Sequence, residues 1–318
     1  MPASRYRRLS SEHIAVTPLK HVVCVRSIGK KVLGMKKISV SVLALAFGMI
    51  GNSIDAHSTP IDWSQPTEAF KITDHIYYVG TRGLASYLLV SNGQAILLDG
   101  TLAENVKPIE DNIKALGFRL DDVKIILSSH AHYDHVAGIA QLKHSSGAIF
   151  MAMEQDVPAL ESGIPESDTN YGVVRFPAIK VDRTLHDGDV VTLGDLRMTA
   201  TLTPGHTKGC TTWSLMDSDT GAQRQVIFPC SISVAGNYLV RNKVYPDIVQ
   251  DFRTSFERLD AMKADIVLPS HPQVTDLFEQ KARRDDGDKN AFVKPGLLKK
   301  IVEQSRVAFE KELKIEQK

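Results

Sequence analysis

"SSHAHYDHVAG", residues 128–138, places three histidines and an aspartate within the six positions His130 to His135. A buried structural histidine is usually solitary, whereas three with a carboxylate on one short stretch make a donor set for metal. The segment follows "VKIILSS" (123–129), an apolar, β-branched run that reads as a strand. A strand ending in His130-Ala131-His132 turns both imidazoles to one side, because side chains alternate with period two. Two nitrogens on one side are half of a tetrahedral zinc site. Asp134 and His135 fall where the chain turns into the helical run "HVAGIAQLK" (135–143), so they face a second point nearby. Two adjacent metals are the natural outcome of this spacing.

The remaining donors must come from elsewhere in the chain. His206 in "TPGHTKGC" (203–210) and His271 in "LPSHPQ" (268–273) each stand at the end of a strand-like run. A Gly-His pair alone reads equally well as a structural turn. Both histidines gain weight because the first cluster leaves two metals under-coordinated. His57, His75, His144 and His186 lack such a setting and are read as surface or capping residues.

Around these segments the chain alternates strands and helices. "HIYYVG" (75–80), "ASYLLVSN" (85–92) and "QAILLDG" (94–100) are strand-like. Residues 103–117 follow as a helix with Val106, Ile109, Ile113 and Leu116 at helical spacing and Gly117 as its stop. A second block has strands at 189–194, 196–204, 211–217 and 224–230, then an amphipathic helix at 247–264 with Phe252, Phe256, Leu259 and Met262 on one face. The strand "DIVLPS" (265–270) leads to His271, and the tail from Pro295 is helical. Two β-rich halves, each closed by helices, predict an α/β protein: two mixed sheets packed face to face with helices on the outer faces, as one domain over residues 57–318.

The 318 residues have a net charge of +1, which hides an asymmetry. Residues 1–37 carry nine Lys and Arg against one acid, Glu12, so the rest of the chain is net −7. An acidic body offers no electrostatic reason to bind nucleic acid. "MKKISVSVLALAFGMIGNSIDAHS", from Met35, has a basic start, an apolar run from Ile38 to Ile50 and a small-residue cut after Ser53 or Ala56. That is the build of a secretory signal peptide over residues 35–56, and the apolar run falls short of the roughly 20 residues a bilayer span needs. Residues 1–34 are read as an upstream extension ahead of the true start at Met35. The expectation is a periplasmic protein, free of the membrane after cleavage and monomeric. Three cysteines (Cys24, Cys210, Cys230) make no disulfide framework; two survive cleavage, as buried small residues or as a single bridge.

The motif His130-x-His132-x-Asp134-His135, the loop "GHTKGCTTW" (205–213) and the late "SHP" (270–272) resemble the metallo-β-lactamase superfamily, and within it class B β-lactamases of the third subclass. The likeness runs over about residues 64–315, including the tail "NAFVKPGLLKKIVEQSRVAFEKEL". It implies an αββα sandwich with two Zn²⁺ per chain. His130, His132 and His206 would hold the first zinc, and Asp134, His135 and His271 the second. It further implies a catalytic role for His130, His132 and Asp134. The activity implied is attack of a zinc-bound hydroxide on the β-lactam amide of penicillins, cephalosporins and carbapenems, giving resistance to them. Asp99 in "LLDG" is read either as a carboxylate that fixes a ligand histidine or as an ordinary strand-end turn residue.

"PCSISVAGNYLV" (229–240) separates this subclass from its relatives. Glyoxalase II and the lactonases of the superfamily carry a bridging aspartate at the matching strand end, and here no Asp or Glu occurs from Phe228 to Asn237. The resemblance aligns Ser231 there, with Ser231 and Ser233 on the substrate carboxylate. A shift of one residue would bring Cys230 to the metal instead, as in the first subclass. Lys208 stands where many third-subclass members have proline, which bears on loop shape. The rival readings are a dizinc hydrolase of another ester, thioester or lactone, and a non-catalytic zinc-binding protein.

Overall fold

The structure, a computed structural model, describes residues 62–318. The signal-peptide segment and the stretch before it lie outside the described residues. Seven strands form the first sheet in sequence order: β1 (Phe70–Lys71), β2 (Ile76–Tyr78), β3 (Tyr87–Ser91), β4 (Gln94–Leu98), β5 (Val123–Leu127), β6 (Ile149–Met153) and β7 (Arg183–Leu185). β1 to β4 pair antiparallel, and β4 to β7 pair parallel. The second sheet runs β12 (Ile266–Val267), β11 (Ala222–Phe228), β10 (Thr211–Asp219), β9 (Leu196–Leu202), β8 (Val190–Leu193). All its pairings are antiparallel except β11 with β12.

Alternation along the strands sends side chains into three separate cores. Tyr87, Leu89, Ile96 and Leu98 of the first sheet meet Met198, Trp213, Val226 and Phe228 of the second. On the other face of the first sheet, Leu88, Leu97, Ile126 and Phe150 pack with helices α1 (Val106–Ala115), α3 (Ile139–Ser146) and α4 (Val157–Ser162). On the outer face of the second, Ile227 and Val267 pack with α5 (Ile248–Asp260) and α7 (Leu297–Glu316). The order helix, sheet, sheet, helix is the αββα sandwich that the sequence predicts. Among the described residues no helix is long and apolar enough to cross a membrane.

Several elements differ from expectation. The helix predicted at 135–143 is two pieces, the single turn α2 (Tyr133–Val136) and α3, with Gly138 at the break. A Cβ on Gly138 would lie 2.3 Å from Gly100 O, so the turn can only be held this close to the end of β4 by glycine. β6, β7, α4 and α6 (Leu277–Asp285) have no counterpart in the sequence reading.

Candidate metal centre

The donor residues gather at one edge of the sandwich, from the ends of strands in both sheets. His130 and His132 follow β5, Asp134 and His135 ride on α2, His206 lies between β9 and β10, and His271 follows β12. Two sets of three result, each with donor atoms within 4.8 Å of one another: His130, His132 and His206, and Asp134, His135 and His271. They adjoin, because the rings of His130 and His135 are 4.2 Å apart between centres.

In the second set the geometry is already that of a ligand cage. His135 Nε2 lies 3.2 Å from His271 Nε2, and Asp134 Oδ2 lies 3.2 Å and 3.4 Å from these two nitrogens. Bonds of about 2.0–2.1 Å around a tetrahedral zinc place neighbouring donors roughly 3.3–3.4 Å apart. The triangle fits a metal. It also holds charge, because burial would raise the Asp134 carboxyl, yet the neighbouring imidazoles pull it far below the usual carboxylate range. Burial works against the charged form of His135, and Asp134 outweighs it and keeps the imidazole basic.

The first set is different in character. Burial, reinforced by the neighbouring imidazoles, pushes His130 and His206 well below the ordinary histidine range, and burial brings His132 to about 4. These rings are therefore neutral at pH 7, the state in which imidazole binds metal. His130 Nε2 and His132 Nε2 are buried with no hydrogen-bond partner. Buried polar atoms without partners are rare, and here they mark where a cation belongs.

Outer contacts set which nitrogen faces inward. His206 Nδ1 donates to Ser233 O at 2.7 Å, leaving Nε2 bare. Asp99 accepts from Ser129 N at 2.6 Å and Ser129 Oγ at 2.7 Å, and that hydroxyl lies 2.9 Å from His130 Nδ1. Asp99 also faces His135 Nδ1 at 3.5 Å. The carboxylate thus holds His130 through the Ser129 hydroxyl, the part of a residue that fixes a ligand histidine. Asp156, which the sequence reading passed over, accepts from Ala131 N at 2.9 Å, Thr207 Oγ at 3.0 Å and Gly209 N at 2.7 Å. It ties the His130–His132 segment to the His206 loop. An isolated aspartate after an apolar run has no sequence feature that announces this.

The sets open into a cleft of about 410 Å³, lined by Trp63, Tyr133, Tyr171, Val174, Ser231 and Ser233 among others, with no Lys or Arg among the described lining residues. Ser231 Oγ and Ser233 Oγ are 3.1 Å apart on its wall. Trp63 lies 5.6 Å from the His271 ring, another contact the sequence does not reveal. Cys230 is bonded to Cys210, with Cα atoms 5.8 Å apart, so it offers no thiolate and the alternative ligand reading falls. Lys208 Nζ donates to Glu166 Oε2 at 2.8 Å, fastening the His206 loop to the segment beside the cleft. His75 and His186 pair with Asp217 and Glu154, away from the site.

Comparison with known proteins agrees with this arrangement. A sequence profile described as the metallo-β-lactamase superfamily matches residues 79–271. BJP-1, a subclass B3 metallo-β-lactamase of Bradyrhizobium japonicum, is 42% identical with a TM-score of 0.76, over 80% of this chain and 97% of that one. The FEZ-1 metallo-β-lactamase of Legionella gormanii is 40% identical with a TM-score of 0.77, over 81% and 99%. A hydroxyacylglutathione hydrolase of Brucella anthropi is 30% identical over 41% of this chain and 42% of its own length. The chain spans about half or less of the curated relatives it matches. A profile match across most of the sandwich, with near-complete structural likeness at about 40% identity, makes the chain a member of the metallo-β-lactamase superfamily, a metal-binding hydrolase.

Proposed function

We propose that the protein is a dizinc β-lactamase of the third subclass, opening the amide ring of penicillins, cephalosporins and carbapenems. The observation that carries this reading is the pairing of a three-histidine set with an Asp-His-His set at the floor of one cleft. The likeness to BJP-1 and FEZ-1 over nearly their whole length supports it. His130, His132 and His206 would hold one zinc, and Asp134, His135 and His271 the other. When bound, the two ions would supply a nucleophile at neutral pH by lowering the pKa of water and would polarise the lactam carbonyl.

The chain's own residues do the rest. Ser233 O and the Asp99–Ser129 pair fix the tautomers of His206 and His130, so donor nitrogens point inward without rearrangement. Asp134, kept unprotonated, offers its carboxylate to the second set, 3.2 Å from His135 Nε2. Ser231 and Ser233 present neutral hydroxyls where the substrate carboxylate would sit, in a cleft with no Lys or Arg among its described lining residues. Trp63, Tyr133 and Tyr171 give the apolar walls that seat a bicyclic ring and exclude water.

The test is zinc content and hydrolysis of nitrocefin by protein beginning at residue 57, beside an acyl-homoserine lactone and a glutathione thioester. Close to two zincs per chain, loss of nitrocefin hydrolysis with a chelator, recovery on zinc addition and no effect of clavulanate are expected. Activity surviving exhaustive chelation rejects the mechanism. Faster turnover of the thioester or lactone would favour the glyoxalase II-like or lactonase-like alternative, which the absence of an acidic residue from Phe228 to Asn237 opposes.

We also propose that Met35–Ala56 directs export to the periplasm and is removed, that residues 1–34 precede the true start, and that β-lactam resistance is the outcome. Amino-terminal sequencing of periplasmic protein should give a start near Ile54 or His57. A mature start before Met35, or a yield that collapses when residues 1–34 are deleted, overturns this.

A further inference from the structure

Behind the first donor set lies a second kind of cluster. One ring nitrogen of His130 and the sulfurs of Cys210 and Cys230 are all within 4.8 Å of one another. All three residues are buried, and the two sulfurs are joined. As a disulfide the pair has no affinity for metal, because the ligand form of cysteine is the thiolate. Reduced, it would put two soft sulfur donors and an imidazole on one point, a set that selects thiophilic cations over hard ones. The surroundings already suit the dithiol. Cys210 Sγ lies 3.4 Å from Ser231 O and Cys230 Sγ 3.3 Å from Ser129 O, so each S–H has a carbonyl to meet. Cys230 also lines a cavity of about 180 Å³ that His271 and Ser231 share.

We propose that Cys210, Cys230 and His130 form a redox-gated site for one soft cation, shut while the disulfide stands and opened by its reduction. Two molecules of a thiol reductant supply the two electrons and become a disulfide; the Cys210–Cys230 bond breaks and each sulfur takes a proton. On binding, two sulfur–metal bonds form and both protons leave to solvent. His130 belongs to the first donor set as well, so the two clusters share this imidazole. The device couples the redox state of the surroundings to metal occupancy, and its readout does not depend on the hydrolytic activity proposed above.

The full chain, reduced with a phosphine and then gel-filtered under nitrogen, is titrated with cadmium chloride. A thiolate-to-cadmium ultraviolet band saturating at one equivalent per chain is expected. It should be absent from the oxidised chain and from Cys210→Ser/Cys230→Ser. His130→Ala should bind the thiolate-ligated cadmium at least ten-fold more weakly, whereas His271→Ala should not. Absence of the band in a folded chain with two titratable thiols overturns the proposal, as does equal affinity in His130→Ala. If reduction opens the fold, cadmium must restore both the near-ultraviolet circular dichroism and the band, and failure to do so overturns it equally.

Discussion

Asp156 is the residue on which the two histidine-bearing segments lean. Burial pushes its carboxyl up to about 6, although three donors converge on it. Removing the acceptor leaves buried Ala131 and Gly209 N–H groups unpaired, at about 1–3 kcal/mol each. Asp156→Ala is therefore expected to lower the melting temperature and weaken metal binding by roughly 10–100-fold, the range for outer partners of ligand histidines; unchanged zinc affinity would show that the segments hold themselves. The raised value also has a sign. A folded-state pKa of about 6 means the folded chain keeps a proton that the unfolded chain has lost. This carboxyl's contribution to stability is complete below its unfolded value, near 4, and is lost as pH rises through 6. The metal-free stability of Asp156→Asn relative to wild type should rise between pH 4 and 6, and a flat difference in urea melts would contradict it. At the second donor set, His271→Ala opens the three-cornered cage and should cost about one metal ion per chain relative to wild type, as read by metal analysis.

The single turn α2 shows how an element positions a site. His135 O accepts from both Gly100 N and Thr101 N at 2.9 Å, and Gly138 N donates to Thr101 O at 3.0 Å. These bonds dock the turn on the loop after β4, with Asp134 and His135 facing the cleft side of the sheet. Gly138 makes the docking possible because its missing Cβ would strike Gly100 O and Val106. Gly138→Ala forces backbone away from backbone, and overpacking of this kind costs about 1–3 kcal/mol. The expected result is a destabilised protein that also loses its second metal more readily than its first. A variant with wild-type stability and metal content would show that the loop yields freely. The Cys210–Cys230 bond closes a chain separation of 20 residues, and a loop of that size stabilises by about 3 kcal/mol in the chain-entropy account. Cys230→Ser should lower the melting temperature while the metal content of the purified protein stays that of wild type.

At the scale of the whole molecule, the site is a joint between two sheets. Ser128 O and Ser129 O, next to the first histidines, accept from Trp213 Nε1 and Thr211 N of the second sheet at 3.0 Å and 2.8 Å. In the opposite sense, Ser270 O beside His271 accepts from Ala85 N, just before β3, at 2.9 Å, and Pro269 O accepts from Tyr87 Oη of the first sheet at 2.8 Å. Metal bound here would hold both sheets at once, so it should act as a staple on global unfolding. A ligand present at 100 times its Kd stabilises by about 2.7 kcal/mol, and a domain of this size gains roughly 2–4 °C per kcal/mol. Chelation is expected to lower the melting temperature by about 5–10 °C for each metal lost. A melting temperature indifferent to chelator would mean that the donor sets bind nothing tightly.

The sequence by itself determined the local donor cluster of this protein and the outline of its fold. His130-x-His132-x-Asp134-His135 stands in one stretch, where local geometry alone puts donors on two sides of a strand end. Period-two and helical-period apolar runs likewise act locally, so most strands and the helices α1, α5 and α7 were legible. β6 and β7 were not. "IFMAM" at β6 is a short continuous apolar run that fits a buried strand or a helix segment equally, and β7 is three residues with mixed burial that pair only because β6 is beside them. The tertiary structure alone decided what depends on meetings between distant segments. It brought His206 and His271 to the cluster and turned Asp99 from a possible turn residue into an anchor for Ser129. It also set Asp156 between two loops and joined Cys230 to Cys210. Each of these is a contact between residues on different elements, and the free energy that makes it comes from packing two sheets and their helices, which no single stretch of chain contains.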